Sequence, residues 1–479
     1  MEFRNVITIK KCARLFVLAV ILGTFATGCA TYRQKNKTLI YWQESNLPAA
    51  VAQATKMADK NPDNKDTIIL RLEQGAVLRG AGQYEDSNKA FDQAEQKIDQ
   101  YELSAKVKVG RETGAILSNQ SELPYEGRPY DGIMLDTYRA LNYLDLGEPD
   151  KARPALIRAY QRQQDAVADN NRRIQKAQDQ LASQSQENRK IVEAAENNPK
   201  IQSQIDAGFE SLKPYANYVN PFTVFMDGLF FMSDAADESD LERANKSFER
   251  VNSFTANNND YIKQDLTTVQ DLIQKKPLSP ITYVIFETGC APIRDQIRID
   301  IPIFWEQLPY LGAAFPTLKP QGNFAPILNV TTDGGANFRT SHLASMDSII
   351  AQNFKDDLPV TITKAVLSTA IKATATHVAW QAAQSAGGNA GDIAGFLVIA
   401  AAVSWQAANN IADERTWTTL PKEFQYCRLP TPPDRQITLV TANGLVKRTV
   451  TIPDGTINLV YVKSITENGP LFVSQIKLK

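Results

Sequence analysis

The chain has 479 residues, of which 43% are hydrophobic and 22% charged, and its 52 Lys and Arg nearly balance its 53 Asp and Glu. This length is enough for two or more hydrophobic cores, whereas balanced charge without clustered basic residues argues against a nucleic-acid-binding protein. The two histidines, His342 and His377, are far apart in the sequence and no Cys or His spacing typical of zinc is present. We therefore expect neither a metal nor a cofactor.

The N-terminus has the order of features of a secretory signal. Four basic residues, Arg4, Lys10, Lys11 and Arg14, precede a short apolar run from Leu15 to Phe25. The run is shorter than the roughly 20 apolar residues that a permanent transmembrane helix needs. The sequence therefore predicts a cleaved signal rather than a membrane-spanning anchor.

Small residues followed by a cysteine end this segment. Ala26, Thr27, Gly28 and Cys29 resemble the bacterial lipobox, in which the cysteine thiolate accepts a diacylglyceryl chain. The resemblance implies that residues 1–28 are the lipoprotein signal peptide and that Cys29 carries the lipid. The next residue is alanine, not the aspartate that retains such proteins in the inner membrane, which implies an outer-membrane anchor facing the periplasm. An ordinary signal peptide with an incidental cysteine is the alternative.

The mature chain keeps two further cysteines. Cys12 leaves with the signal, and Cys290 and Cys427 remain in the C-terminal half. An oxidising periplasm favours a disulfide between them, and two unpaired buried thiols are the alternative.

Residues 29–275 read as a helical repeat domain. Three segments place Gly, Ala and aromatic residues at the spacing of the 34-residue tetratricopeptide repeat, and a degenerate second helix lies near Leu47. The first segment has Gly75, Leu78, Gly82, Tyr84, Ser87, Phe91 and Ala94; the second has Ala140, Tyr143, Gly147, Ala152, Leu156 and Ala159; the third has Gly228, Phe231, Ala244, Phe248 and Val251. A generic helical bundle with Ala at packed positions is the alternative.

A long polar stretch separates the second and third segments, at about 161–213. Val167, Ile174 and Leu181 are seven residues apart within a background of Gln, Asn and charge. We expect a protruding helix or helical pair, with a flexible charged excursion as the alternative.

From Ile281 onward, short β-branched and aromatic runs are bounded by Gly and Pro, which is typical of strands. Eight such runs in residues 276–340 and 412–479 predict a β-rich, sandwich-like domain. Residues 341–411 interrupt it with an Ala-rich helical hairpin, expected at Thr361–Ala383 and Ile393–Ala408. The second helix is apolar almost all round but too short to span a bilayer, so burial in the protein is expected and membrane contact is the alternative. The expected fold class is α+β.

The segment DERTWTTLP adds a resemblance that covers nearly the whole chain. Taken with ALNYLDLG and YVIFETGCAPIRDQIRIDIPI, it resembles a family of bacterial outer-membrane lipoproteins with tetratricopeptide repeats whose molecular role is open. The resemblance implies the architecture and supplies no catalytic residues. From the residues themselves, Asp413, Arg415 and Trp417 predict a structural corner in which Arg pairs with Asp and the indole packs; a ligand contact is the alternative.

No nucleophile elbow, phosphate-binding loop or dinucleotide fingerprint is present. The expected function is therefore a non-enzymatic scaffold that binds an envelope protein or peptide on the concave face of the repeats. The residues expected on that face are Leu72, Arg79, Thr137, Leu141, Leu144, Phe222 and Phe225. Packing between helices is the alternative for the apolar members. An envelope enzyme acting on peptidoglycan or glycan, and a membrane or secretion accessory that uses the hairpin, are the other two functions considered.

Overall fold

The computed structural model describes residues 37–60, 62–107, 120–199, 203, 212–215, 219–255, 258–305, 308–385, 392–399 and 411–479. The signal segment and Cys29 lie outside the described residues.

Helices dominate the first half of the chain. They are α1 (Lys37–Gln43), α2 (Leu47–Lys60), α3 (Thr67–Gly80), α4 (Tyr84–Val107), α5 (Pro129–Asp145), α6 (Pro149–Ala182), α7 (Gln186–Glu196), α8 (Pro221–Ser233), α9 (Glu238–Phe254), α10 (Asp260–Ile273) and, within the second half, α11 (Met346–Gln384). Residues 392–399 form a further helix.

The predicted repeat segments form helical hairpins, α3–α4, α5–α6 and α8–α9. The turn of the second hairpin contains Gly147 with φ +73°, a left-handed conformation that favours glycine. In the first hairpin Gly75 faces Phe91, and a Cβ on Gly75 would lie 2.4 Å from a ring carbon of Phe91. The small residues that suggested the repeats thus allow the two helices of a pair to approach closely.

Eleven strands are found in the described part of the second half. They are β1 (Ile281–Thr288), β2 (Ile293–Trp305), β3 (Leu308–Lys319), β4 (Leu328–Thr332), β5 (Asn337–Arg339), β6 (Ser341–Ser345), β7 (Glu423–Pro430), β8 (Gln436–Thr441), β9 (Lys447–Thr451), β10 (Ile457–Ser464) and β11 (Phe472–Lys477). The central sheet has the order β11-β10-β1-β7-β6, the outer sheet β5-β4-β8-β9, and β2 pairs with β3 in a two-stranded ribbon. Strands β1 and β10 are parallel, and the other pairs are antiparallel.

The central sheet lies between two layers. Side chains of a strand alternate between its faces, and in β1 Tyr283 and Ile285 join a buried cluster with the helices. Val284 and Phe286 join a second cluster with the outer sheet. Every residue of β1 is therefore buried. The architecture is α+β, as expected, with the layer order helices, central sheet, outer sheet.

The three layers together are called the body, and the first two helices pack at one end of it. Trp42 of α1 is fully buried with residues of α2 and α3 and with Ile465, which follows β10. The ammonium group of Lys463 lies 4.5 Å from the Trp42 ring centroid. The start of the described chain is thus fixed against the central sheet.

A second core lies outside this body. It joins α7, the second half of α11 and the ribbon, through residues such as Val192, Phe315 and Leu367. Helix 392–399 packs back on the end of α11, since a Cβ on Gly395 would lie 2.9 Å from the Trp380 indole nitrogen. We use the name arm for four segments taken together: α7, residues 358–384, residues 392–399, and the part of the ribbon that joins this cluster through residues 297–299 and 313–315.

The polar stretch at 161–213 partly belongs to this arm. Helix α6 continues to Ala182 and α7 packs on α11, so the described residues follow the expected helical pair rather than a flexible excursion.

Two boundaries of the expected hairpin insertion were wrong. Residues 341–345 form β6 of the central sheet, and the first helix begins at Met346 rather than Thr361. Ser345 caps that helix, because its hydroxyl accepts a hydrogen bond from the Ser348 backbone nitrogen at 3.1 Å. Within the described residues, no helix combines the length and the apolar character needed to cross a membrane.

Candidate functional site

The residues expected on the concave face of the repeats lie in the protein interior. Each of the seven has at most 7% of its surface exposed: Leu72, Arg79, Thr137, Leu141, Leu144, Phe222 and Phe225. Phe222 stacks on Phe424 of the central sheet with ring centroids 3.7 Å apart, and Phe225 lies 4.5 Å from Tyr426. The prediction that these residues form an exposed binding face is therefore wrong. Phe222 and Phe225 pack on the central sheet, whereas Arg79 and Thr137 bind residues of neighbouring helices.

Arg79 forms an ion pair inside the protein and is not exposed to bind a partner. Its Nη1 donates to Asn142 Oδ1 at 2.7 Å and to Asp145 Oδ2 at 3.1 Å. Burial lowers the pKa of the guanidinium, but the Asp145 carboxylate outweighs this effect and the pKa stays above its ordinary value. Arg79 is thus committed to holding α3 on α5.

Glu287 of β1 connects the helices to the central sheet, although no sequence motif marks this residue. The Tyr138 hydroxyl of α5 donates to Glu287 at 3.0 Å, and the Lys463 ammonium lies 2.6 Å from it. Burial raises the pKa of this carboxyl, but Lys463 outweighs burial and the pKa falls below its ordinary value. The group is a structural ion pair at the interface of helices and sheet.

Cys290 and Cys427 are free, buried thiols, so the predicted disulfide is wrong and the alternative is confirmed. Cys290 lies in the Trp42 cluster, whereas Cys427 of β7 faces the outer sheet, so the thiols belong to different cores. Burial raises the pKa of Cys290 to about 12, which leaves the thiol protonated and unreactive.

The predicted corner at Asp413, Arg415 and Trp417 is confirmed. Arg415 donates from Nε and Nη2 to the two oxygens of Asp413 at 2.7 and 3.1 Å. The indole of Trp417 is fully buried, with ring centroids about 6 Å from those of Phe91 and Tyr138. The corner therefore attaches the chain entering β7 to the first two helical hairpins.

Beside this corner lies a junction cluster formed by Arg128, Arg294, Asp357 and Asp413. Arg128, before α5, donates from Nη1 to Asp357 Oδ2 of α11 at 3.1 Å and lies 3.8 Å from Asp413. Arg294 of β2 is 3% exposed, and burial together with the charge of Arg128 lowers its pKa to about 10. Four elements meet here: the start of α5, the ribbon, α11 and the 411–417 segment.

The end of the arm differs from these interior groups because it exposes apolar side chains. Val378 of α11 and Ile393 and Phe396 of the following helix are 58, 44 and 65% exposed. His377 stacks on Trp380 nearby. These exposed apolar side chains make the end of the arm a candidate contact surface.

The chain was compared with protein-family models, with curated proteins and with solved structures. None of them matches it. Its function therefore has to be inferred from the residues themselves. Among the residues that the structure describes, no group of three or more His, Cys, Asp or Glu side chains is arranged to hold a metal ion.

Proposed function

We propose that the chain is a lipid-anchored lipoprotein of the outer membrane, facing the periplasm, that binds an envelope protein through the end of its arm. Its helical hairpins are, in this proposal, degenerate tetratricopeptide repeats used to hold the central sheet rather than a partner. The proposal includes no catalytic step.

The exposed apolar end of the arm is the observation that carries this proposal. The concave face of the helices, where such repeats bind partners, is filled by Phe424 and Tyr426. Val378, Ile393 and Phe396 are large apolar side chains left in solvent on two helices that pack together. Exposed apolar patches of this kind are typical of interaction surfaces.

The charge of the arm end favours a protein over a lipid surface as its partner. Helices that lie on membranes carry Lys and Arg on their polar face, which attract anionic lipids. Residues 373–399 contain no Lys or Arg and one acidic residue, Asp392. A protein surface with complementary apolar side chains suits this composition better.

Site-specific photo-crosslinking in cells tests the proposal. A photoreactive amino acid replaces Phe396 in the full chain. The matched control places it at Leu445, which is 73% exposed but lies in the loop between β8 and β9. We expect a discrete protein adduct from position 396 and none from position 445. Phe396→Ser should weaken recovery of the same partner at least tenfold, because apolar anchors dominate interfaces, whereas Leu445→Ser should not.

Two results would contradict the proposal. An adduct to lipid alone at position 396 would favour the membrane accessory, and adducts at both positions or at neither would remove the arm end as a specific protein-binding surface.

The anchor is tested separately by Cys29→Ser. The variant should remain unprocessed or be released from the membrane, and labelling with a fatty-acid probe should be lost. Cys12→Ser is the matched control, because that cysteine lies in the part that is removed. Equal labelling of both variants would exclude Cys29 as the lipid attachment site.

A further inference from the structure

Arg294 is a buried cation whose best hydrogen-bonding edge is empty. Neither Nε nor Nη2 of Arg294 has a hydrogen-bond partner among the described residues, although the side chain is nine-tenths buried or more. These two nitrogens form one edge of the planar guanidinium, the edge that binds two oxygens of a carboxylate or phosphate side by side. A buried donor pair without an acceptor is costly, so native structures rarely leave one empty.

The neighbouring carboxylates are already used by other arginines. Asp357 Oδ2 accepts a hydrogen bond from Arg128. Its Oδ1 accepts none from the described residues but forms an ion pair with Arg173 of α6 at 2.9 Å. Asp413 accepts three hydrogen bonds from Arg415, from its backbone nitrogen, Nε and Nη2. Within the described part of the chain, Arg294 is therefore left without a carboxylate in contact.

Other buried polar atoms of this region also lack partners. Arg128 Nε and Asn353 Nδ2 are donors without an acceptor among the described residues, and Asn353 Oδ1 is an acceptor without a donor. The ring of Phe354 lies 4.9 Å from the guanidinium of Arg294 and covers one of its faces. Tyr130 and Asp357 are buried as well, so only a small ligand suits this region.

We infer that the junction cluster is a binding site for one small oxyanion, of the carboxylate, phosphate or sulfate class. Its oxygens accept hydrogen bonds from the Nε and Nη2 edge of Arg294, with Arg128 supplying a second positive charge. The anion neutralises Arg294 and joins the ribbon and α11 to the start of α5.

Thermal unfolding of the full mature chain with Cys29→Ser tests this site. Sodium phosphate, sodium sulfate and sodium acetate are titrated separately into an oxyanion-free Tris buffer, with sodium chloride keeping ionic strength constant. A ligand that binds the folded state alone at concentration c stabilises it by RT ln(1 + c/Kd), so the melting temperature rises with the logarithm of the salt concentration once that exceeds Kd. A general salt effect instead grows in proportion to concentration. We expect at least one of the three salts to raise it by about 2 °C or more, and the most effective salt identifies the anion.

Arg294→Met removes the donor edge but keeps an apolar side chain of similar length, and should abolish the logarithmic rise in melting temperature. Arg172→Met, which changes a solvent-exposed arginine of α6, is the matched control and should keep this rise. Absence of a logarithmic rise in the parent chain, or the same rise in Arg294→Met, overturns the site. If Arg294→Met does not fold, crystals of the parent soaked in selenate decide, since an anomalous peak is expected beside Arg294 and its absence there overturns the site.

Discussion

The body and the arm are built from similar helices but are held together in different ways. In the body, aromatic side chains of the helices interlock with those of the central sheet, so that residues from Ile68 to Ile476 share one buried cluster. In the arm, α7, half of α11 and the ribbon share a smaller cluster rich in alanine, such as Ala313 and Ala370. Because the body cluster contains residues from both sides of residue 275, the predicted domain boundary there does not separate two cores.

This difference has an energetic consequence. Hydrophobic stabilisation grows with the apolar area removed from water, and alanine contributes little area compared with phenylalanine or tyrosine. We therefore expect the body to unfold as one cooperative unit and the arm to open at lower free energy.

Separating the two halves of the body has the largest expected effect. A fragment of residues 37–275 leaves the apolar faces of α5 and α8 without the central sheet, since Leu141 and Phe222 are fully buried in the intact chain. We expect this fragment to be insoluble or unfolded by circular dichroism. Co-expression with residues 276–479 should restore a soluble complex. A cooperative melt of the fragment alone would show that the helices have an independent core.

Phe225→Ala should weaken helices and sheet together. The ring contacts Phe248 of α9 and Tyr426 of the central sheet, and loss of a buried phenylalanine costs about 3–5 kcal/mol. Far-UV circular dichroism and tryptophan fluorescence should shift to the same lower midpoint. Val167→Ala, on an exposed face of α6, is the control and should melt like the parent. Separate midpoints for the two signals would contradict a single body.

Asp131→Asn should change the pH dependence of the free energy of unfolding, because Asp131 lies beside the junction between body and arm. Tyr125 and the Arg128 backbone donate to Asp131 Oδ2 at 2.5 and 2.9 Å, and burial raises the pKa of this carboxyl from 3.8 to about 6. The folded chain therefore keeps a proton that the unfolded chain releases, so the free energy of unfolding falls as pH rises from about 4 to 6. Since each pKa unit corresponds to about 1.4 kcal/mol, the free energy of unfolding falls by roughly 3 kcal/mol over this pH range.

The asparagine variant should lack this part of the pH dependence when denaturant unfolding is measured at pH 4.5, 6 and 8. Asp454→Asn is the control, because that side chain is 94% exposed and its removal should leave the slope unchanged. An unaltered slope in Asp131→Asn would mean that Asp131 is charged in the folded chain across this range.

Leu367→Ala should affect the arm alone. Leu367 lies in the arm cluster, and its truncation costs about 2–3 kcal/mol. Hydrogen exchange should become faster in Gln186–Glu196 and in the second half of α11, while exchange in the central sheet and the main melting transition stay as in the parent. Equal acceleration in β1 would show that the arm and body open together.

The sequence predicted those elements whose pattern reflects a local constraint. Gly147 favours a turn, Gly75 allows a close neighbour, and the β-branched and aromatic run in Ile281–Thr288 favours a strand. All three are found. Strand β3 was not predicted, because Pro309 and Pro316 disfavour a strand unless it lies at an edge, as β3 does in its two-stranded ribbon.

The sequence alone does not show what the apolar face of a helix packs against. Phe222 and Phe225 have the spacing of a repeat surface, but the same residues suit contact with a second helix, a ligand or a sheet, and only the fold places Phe424 and Tyr426 against them. Arg294 gave no signal either, since a charged residue at one position of an alternating strand ordinarily points to solvent.

The burial of Trp42 limits how far the proposed lipoprotein can stand from its membrane. Helix α1 begins at Lys37 and is fixed to the central sheet through Trp42, so only eight peptide steps separate the folded body from Cys29. A fully extended chain covers at most about 26–29 Å in eight steps. A lipid on Cys29 would therefore hold the Trp42 end of the body within that distance of the bilayer surface.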